Sequence, residues 1–215
     1  MTKTLIAVPC TDMVPVGFTQ SLLNLRKLPG TAYAVQPGGM IHDTRNAIAL
    51  AAMDGGFDRV LWLDSDMLFR ADLMERLAAD MDEKGLAYVS ALCFKRTLPT
   101  SPCVYREIRT LTGKDGLPDA EAVPYFDYPK DSLFECAATG CAAVMMDVSL
   151  VRDVAEAYGD PFQPLPRMGE DLSFCWRAGQ LGRKMWCDSR VKVGHIGQMV
   201  FDEGLYHRPD SEGRR

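Results

Sequence analysis

The distribution of apolar and polar residues predicts short buried strands that alternate with helices. Continuous apolar runs are expected for strands covered on both faces, and apolar residues at helical spacing fill the intervals between these runs. The predicted strands span residues 4–8, 33–35, 60–63, 87–92, 142–146, 185–187 and 191–193. The predicted helices span residues 17–28, 43–53, 71–84, 149–158 and 169–179. This order is typical of an α/β domain whose central sheet is mainly parallel and flanked by helices.

Residues 95–130 interrupt this alternation. The segment is rich in proline, glycine, charged and aromatic residues, and residues 113–116 have the composition of a tight turn. We expect a hairpin with arms at 104–111 and 122–128, inserted as a flap over the crevice of the sheet. The domain is therefore predicted to span 1–200, with 201–215 as a C-terminal tail.

Composition is that of a soluble globular domain. The 215 residues are 47% apolar and 25% charged, and the net charge of −5 argues against nucleic acid as a polymeric partner. The seven cysteines are scattered without a Cys-x-x-Cys spacing, so neither a disulfide framework nor a zinc site is indicated. Three features favour a cytoplasmic protein. The thiols are expected to be free, and the apolar run at the N-terminus is too short for a signal peptide. No run approaches the ~20 apolar residues of a membrane span.

Two carboxylates follow the apolar run at 60–63. The carboxyl ends of strands in open α/β sheets border the ligand crevice. Side chains at i and i+2 of an extended segment point the same way, so Asp64 and Asp66 are expected to converge while Ser65 turns aside. Such a pair suits a hard divalent cation. The alternative is structural, with Asp66 or Asp72 capping the helix that follows.

A phosphate site is indicated at Arg45 and Asn46. With Asp43 as the cap, both residues fall in the first turn of the helix at 43–53, where free backbone N–H groups and the helix dipole favour an anion. The alternative is an arginine solvated on the helix surface.

Three further groups of residues are candidates for a site. The loop after the first strand is expected to line the crevice, and it consists of Pro9, Cys10, Thr11 and Asp12. Small residues that let a ligand approach the backbone closely precede the strand at 142–146, and they are Thr139, Gly140 and Cys141. Glu170 and Asp171 open a helix, and His195 lies between glycines. Each also has an ordinary structural explanation, as complements of the helix dipole or as a structural histidine.

Taken in order, these motifs resemble nucleotide-sugar-dependent glycosyltransferases of the GT-A fold, and are most similar to bacterial and phage proteins of the inverting family 2 type. The resemblance extends from Leu5 to about Gly197. It rests on Asp64-x-Asp66, on Gly169-Glu170-Asp171 with Phe174 and Arg177, on Trp186-Cys187-Asp188, and on His195. Related residues also fall at Ala7-Val8-Pro9, Arg45-Asn46, 63–67 and Thr139-Gly140-Cys141.

The resemblance implies a single Rossmann-like domain and a role for each motif. Asp66 would ligate Mn²⁺ or Mg²⁺ directly, Asp64 would contact the ion through water or hold the donor ribose, and His195 would complete the metal site. Asp171 would be the catalytic base, with Glu170 supporting it. The site for a UDP- or GDP-sugar would include Pro9, Cys10, Thr11, Asp12, Arg45, Asp64, Ser65 and Asp66. Thr139, Gly140 and Cys141 would lie on the side of the acceptor.

The implied reaction is metal-assisted direct displacement with inversion, from a nucleotide sugar to an acceptor hydroxyl. A cation held by carboxylates neutralises the leaving diphosphate, and oxygen ligands with one imidazole suit Mn²⁺ better than Mg²⁺. Two alternatives remain open. A nucleotidyltransferase that makes the sugar nucleotide would be expected to carry a Gly-rich, basic loop, which residues 9–12 do not have. A non-catalytic nucleotide- or carbohydrate-binding relative would keep the fold without turnover.

Overall fold

The computed structural model describes residues 1–112, 118–197 and 199–207. The predicted turn at 113–116 and residues 208–215 of the predicted tail lie outside this part of the chain. The strands are β1 (Thr4–Cys10), β2 (Thr31–Pro37), β3 (Arg59–Leu63), β4 (Met67–Leu68), β5 (Tyr88–Leu92), β6 (Val104–Thr112), β7 (Pro118–Pro124), β8 (Leu133–Cys136), β9 (Ala138–Thr139), β10 (Ala143–Asp147), β11 (Met185–Lys192), β12 (Gly194–Ile196) and β13 (Val200–Phe201). The helices are α1 (Val16–Asn24), α2 (Ile41–Asp54), α3 (Leu73–Lys84), α4 (Val148–Tyr158), α5 (Glu170–Gln180) and α6 (Glu203–Tyr206).

Seven strands of the described chain form the central sheet, in the order β2-β1-β3-β10-β5-β11-β8. β1 pairs in parallel with β2 and β3, and β11 pairs in parallel with β5. β10 lies between β3 and β5 and is antiparallel to both, while β8 is antiparallel to β11 at one edge. The mainly parallel α/β sheet expected from the sequence is confirmed. The reversed direction of β10 was not predicted, because a fully buried strand has the same apolar pattern in either direction.

The continuous apolar runs are explained by cores on both faces of the sheet. Successive side chains of a strand point to opposite faces. Along β3, Val60 and Trp62 belong to one buried cluster with residues of α2, α4 and α5, whereas Leu61 and Leu63 belong to another with residues of α1 and α3. The sheet is therefore held between two helical layers, and the ends of its strands are fixed by packing.

The second helix begins two residues earlier than the sequence suggested. α2 begins at Ile41, so Asp43 is not its cap. The backbone N–H of Thr44 already donates to the Met40 carbonyl at 3.1 Å. Arg45 therefore lies beyond the free amides of the first turn, and the prediction of an anion site built on those amides at Arg45 was wrong.

The flap contains a hairpin, as expected, with β6 and β7 paired antiparallel and β6 also paired with β9. Its second arm is Pro118–Pro124, which lies four residues earlier than the predicted 122–128. A small sheet of β13, β12 and β4 was not predicted, because strands of two or three residues show no periodicity. In it, His195 of β12 pairs with Met67 of β4, which directly follows Asp66. None of the helices in the described ranges is long and apolar enough to cross a membrane.

Candidate functional site

A cleft of about 290 Å³ opens where β1 and β3 end, which is the edge of the sheet predicted to bind a ligand. It brings together six regions that are separate in the sequence. Its lining residues are Pro9, Cys10, Thr11, Gly38, Gly39, Ile41, Thr44, Arg45, Asp64, Ser65, Asp66, Arg96, Glu170 and His195. A cleft of this size falls near the lower end of the range for small-molecule sites.

Asp64 and Asp66 enter the cleft from a turn. β3 ends at Leu63, and the turn over Ser65 and Asp66 is closed by the hydrogen bond from Met67 N–H to the Asp64 carbonyl at 3.2 Å. The expectation that both aspartates belong to one extended segment was therefore wrong. Both side chains still line the cleft, but each meets different partners.

Arg45 holds Asp64 and Glu170. Its Nη2 lies 2.6 Å from Asp64 Oδ1, and its Nε lies 3.3 Å from Glu170 Oε1. Only 2% of the residue is exposed, and its guanidinium lies 5.5 Å from the centre of the Trp62 ring, so the interpretation as a solvated surface arginine was wrong. Burial raises the pKa of Asp64, and Arg45 opposes this shift by stabilising the carboxylate. Arg45 thus fixes two acidic side chains at the cleft.

Asp66 lies between two cationic side chains. Its Oδ2 is 3.3 Å from His195 Nε2 and 2.8 Å from Arg96 Nη1. Burial alone would raise the pKa of Asp66, but the His195 hydrogen bond and the Arg96 charge lower it below the ordinary carboxyl value. The backbone fixes this contact, because Ile196 N–H donates to the Asp66 carbonyl at 2.7 Å. A Cβ on Gly194 would lie 2.7 Å from Val200 Cγ1, which explains the glycine before His195.

Asp66 and His195 form an ion pair whose two facing atoms are as close as neighbouring ligands of one cation would be. His195 Nδ1 lies 3.0 Å from the Phe94 carbonyl oxygen. A carbonyl can only accept, so Nδ1 donates to Phe94. Nε2 donates to Asp66 in the protonated ring, and loss of that proton frees its lone pair for a cation. Metal bonds of ~2.0–2.2 Å place neighbouring ligands about 3 Å apart, close to the observed 3.3 Å. No group of three or more histidine, cysteine or acidic side chains in the described residues is placed to hold a metal, so a cation here would take its other ligands from elsewhere.

The two acids at the start of α5 lie in different places. Glu170 lines the cleft, whereas the described lining does not include Asp171. Asp171 Oδ2 lies 3.6 Å from the position of a Cβ built on Gly140, and Oδ1 accepts from Leu172 N–H at 2.7 Å. Burial, followed by the nearby Glu170 carboxylate, raises the pKa of Asp171 to about 6. Asp171 is thus a carboxylate of raised basicity beside Gly140.

Other predicted site residues also lie outside the lining of the cleft. Asp12 is exposed beyond Thr11. Thr139 and Cys141 are buried, and the Thr139 hydroxyl is 2.7 Å from the Tyr88 hydroxyl. Among Thr139, Gly140 and Cys141, only Gly140 is partly exposed.

The sequence did not indicate Arg96 and Gly38 as cleft residues. Arg96 lies in a loop of the flap that carries no recognised motif. A Cβ on Gly38 would fall 1.9 Å from Thr44 Oγ1, so this position has no room for a side chain. The Gly38-Gly39 pair after a predicted strand was the available sign of a close approach there.

Comparisons with known proteins identify relatives in structure only. No protein-family model and no curated protein matches the sequence. Protein A197 from STIV superposes with a TM-score of 0.63 at 16% identity, over 91% of this chain and 86% of that one. GalNAc-T7, in a crystal structure with UDP, GalNAc and Mn²⁺, superposes with a TM-score of 0.59 at 10% identity, over 92% of this chain but 44% of its own. The chain therefore shares the α/β fold of these two proteins, as expected for a GT-A-like domain.

Proposed function

We propose that this chain is a glycosyltransferase that moves a sugar from a nucleoside diphosphate sugar to an acceptor hydroxyl. The observation that carries the proposal is the pairing of Asp66 Oδ2 with His195 Nε2, 3.3 Å apart in a cleft at the ends of the parallel strands. The fold shared with GalNAc-T7, whose crystal structure contains UDP, GalNAc and Mn²⁺, supports the same class of donor.

Asp66 and His195 would hold the cation, and one carboxylate with one imidazole suits Mn²⁺ better than Mg²⁺. When bound, the cation would neutralise charge on the leaving diphosphate. Asp64 is held in place by Arg45, which leaves its second oxygen to accept a hydrogen bond from the donor ribose or from a water. Pro9, Cys10, Thr11 and Ser65 would form the wall of the nucleotide site together with Arg45. Asp12 would border this wall.

Asp171 is the proposed base of a direct, inverting displacement. With a pKa of about 6 it is ionised at neutral pH and is more basic than an ordinary aspartate. Glu170 is less suited to this task because Arg45 holds its carboxylate. The proton would pass from the acceptor hydroxyl to the Asp171 carboxylate, with the acceptor entering past Gly140. Thr139 and Cys141 would support that side from beneath.

The test is a thermal-shift panel followed by turnover. UDP, GDP and their sugar derivatives are added to the protein with Mn²⁺, Mg²⁺ or EDTA, since a ligand that binds only the folded state raises the melting temperature. We expect stabilisation by one nucleotide class that depends on the cation, and release of the nucleoside diphosphate from the matching sugar nucleotide. Cation-dependent binding without any release would instead indicate a non-catalytic relative, and the lack of binding to every member of the panel would contradict the proposal.

A further inference from the structure

Arg96 is a charged cleft residue to which the proposed function assigns no contact with a ligand. Its Nη1 lies 2.8 Å from Asp66 Oδ2 and 3.4 Å from the Ile196 carbonyl oxygen. The side chain is 50% exposed. Arg45, the other arginine in the described lining of the cleft, is buried between two carboxylates. Arg96 is therefore the cleft arginine whose guanidinium can change partner without unpacking the core.

The backbone that carries Arg96 is fixed. Phe94 and Pro102 form an antiparallel bridge, Lys95 N–H donates to the Ser101 carbonyl at 2.9 Å, and Thr100 Oγ1 donates to the Lys95 carbonyl at 2.7 Å. These bonds leave the side chain as the movable part. Its movement is a change of rotamer within a fixed loop.

Arg96 and a divalent cation need the same oxygen. Asp66 Oδ2 contacts both His195 Nε2, at 3.3 Å, and Arg96 Nη1, at 2.8 Å. A cation bound between Asp66 and His195 would lie within a few ångströms of the guanidinium, and like charges so close repel each other strongly in a partly buried site. Binding of the cation therefore favours departure of Arg96 from Asp66.

We propose that Arg96 exchanges partners, neutralising Asp66 in the metal-free protein and moving to the donor diphosphate when a divalent cation takes its place. The planar fork of the guanidinium matches two phosphate oxygens, which a lysine ammonium does not. The Arg96 guanidinium that the cation displaces from Asp66 then neutralises charge on the leaving diphosphate. This inference rests on the proposed function, since it requires a nucleoside diphosphate in the cleft.

The exchange predicts opposite effects of one substitution on two ligands. In Arg96→Ala, Mn²⁺ alone should bind about threefold more tightly or better, because its competitor for Asp66 is gone. UDP or GDP, whichever binds wild type, should bind about tenfold more weakly at saturating Mn²⁺, because a diphosphate contact is lost. Arg96→Lys should retain part of the competition with Mn²⁺ but not the forked contact.

The experiment measures free Mn²⁺ by electron paramagnetic resonance and nucleotide affinity by calorimetry, on variants whose melting curves show that they fold. Arg70→Ala is the control, because Arg70 is an exposed arginine paired with Asp72 and lies outside the described lining of the cleft, so neither affinity should change. Tighter Mn²⁺ binding together with weaker nucleotide binding in Arg96→Ala supports the exchange. Unchanged nucleotide affinity, or Mn²⁺ affinity that is unchanged or weaker, overturns the exchange while the proposed function stands. If wild type binds no nucleotide with Mn²⁺, the proposed function fails and the exchange fails with it.

Discussion

Arg45 has a role that its local sequence does not indicate. Its partners Asp64 and Glu170 lie 19 and 125 positions away. Helix periodicity alone places Arg45 on a helix, and only the folded chain shows that this side of α2 faces the cleft. Local sequence could not predict that Arg45 binds carboxylates of the protein, because those contacts depend on how distant parts of the chain meet.

Replacing Arg45 by methionine keeps an apolar stem but leaves Asp64 and Glu170 unpaired beside each other. We expect the free energy of unfolding to fall by about 3 kcal/mol or more, because breaking a partly buried ion pair leaves the remaining carboxylates without a cationic partner. Urea denaturation measures this loss. The triple variant Arg45→Met, Asp64→Asn, Glu170→Gln is the matched control and should regain part of the stability. A single variant as stable as wild type would contradict a positioning role for Arg45.

Asp171 and Glu170 are neighbours with different expected roles. Asp171→Asn should lower transfer by about two orders of magnitude or more, because the amide cannot take the acceptor proton. Affinity for the nucleoside diphosphate with Mn²⁺ should stay near wild type. Steady-state kinetics and calorimetry on the same preparation test both parts, and near-normal transfer would contradict the assignment of Asp171 and weaken the inverting mechanism.

The raised pKa of Asp171 also predicts the pH profile of wild-type transfer. The ionised form is the active one, so the rate should fall as the pH drops through about 6 and the carboxylate becomes protonated. An ordinary aspartate would lose activity only near pH 4. A profile that is flat from pH 8 down to pH 5, in an enzyme that remains folded, would contradict Asp171 as the base.

At the scale of elements, apolar patterns predicted where strands and helices lie but not how they pair. The run at 142–146 was correctly predicted as a strand, yet its place between β3 and β5 depends on long-range pairing. Similarly, residues 185–187 and 191–193 were predicted as two strands, whereas β11 is one irregular strand over Met185–Lys192. Its pairing with β5 shifts register between Asp188 and Lys192. Such a shift interrupts the alternation of apolar and polar side chains from which a strand is predicted.

The contact between α3 and β11 contains a buried acidic pair. Asp80 is 8% exposed and Asp188 is 1% exposed. Arg190 binds one oxygen of each, with Nη2 2.6 Å from Asp80 Oδ1 and Nε 2.8 Å from Asp188 Oδ1. The second oxygen of each carboxylate has no hydrogen-bond partner among the described residues. Burial, followed by the neighbouring Asp188, raises the pKa of Asp80 to about 6.

This pair predicts a pH-dependent stability. Between pH 4 and 6 the folded state binds the Asp80 proton more tightly than the unfolded chain, so the free energy of unfolding should fall as the pH rises through that window. Asp80→Asn should lose this dependence and be more stable than wild type at pH 8, by on the order of 1 kcal/mol. Urea denaturation at pH 5 and pH 8 measures both effects. Asp82→Asn, an exposed position of the same helix, is the control and should behave as wild type does.

At the scale of the whole molecule, the fold and the place of the cleft followed from the sequence, because strand ends in α/β sheets meet at one edge. The resemblance implied that His195 lies near Asp66, whereas the contact of Asp66 with Arg96 was not predicted. These contacts depend on the small sheet of β4, β12 and β13 and on the Arg96 loop, and neither carries a periodic pattern. The likeness in fold to A197 and GalNAc-T7 extends over about nine-tenths of this chain, so it concerns most of the chain and not one motif.

The proposed binding of a cation by Asp66 and His195 belongs to this scale, and electron paramagnetic resonance of bound Mn²⁺ tests it most directly. In the presence of UDP or GDP, we predict one Mn²⁺ per chain with a nitrogen coupling from one imidazole. The coupling should vanish in His195→Gln, and the bound ion should be lost in Asp66→Asn, while His42→Gln should leave both signals unchanged because His42 pairs with Asp43 outside the described cleft lining. Absence of bound Mn²⁺ with either nucleotide, or a nitrogen coupling that persists without His195, would contradict the account.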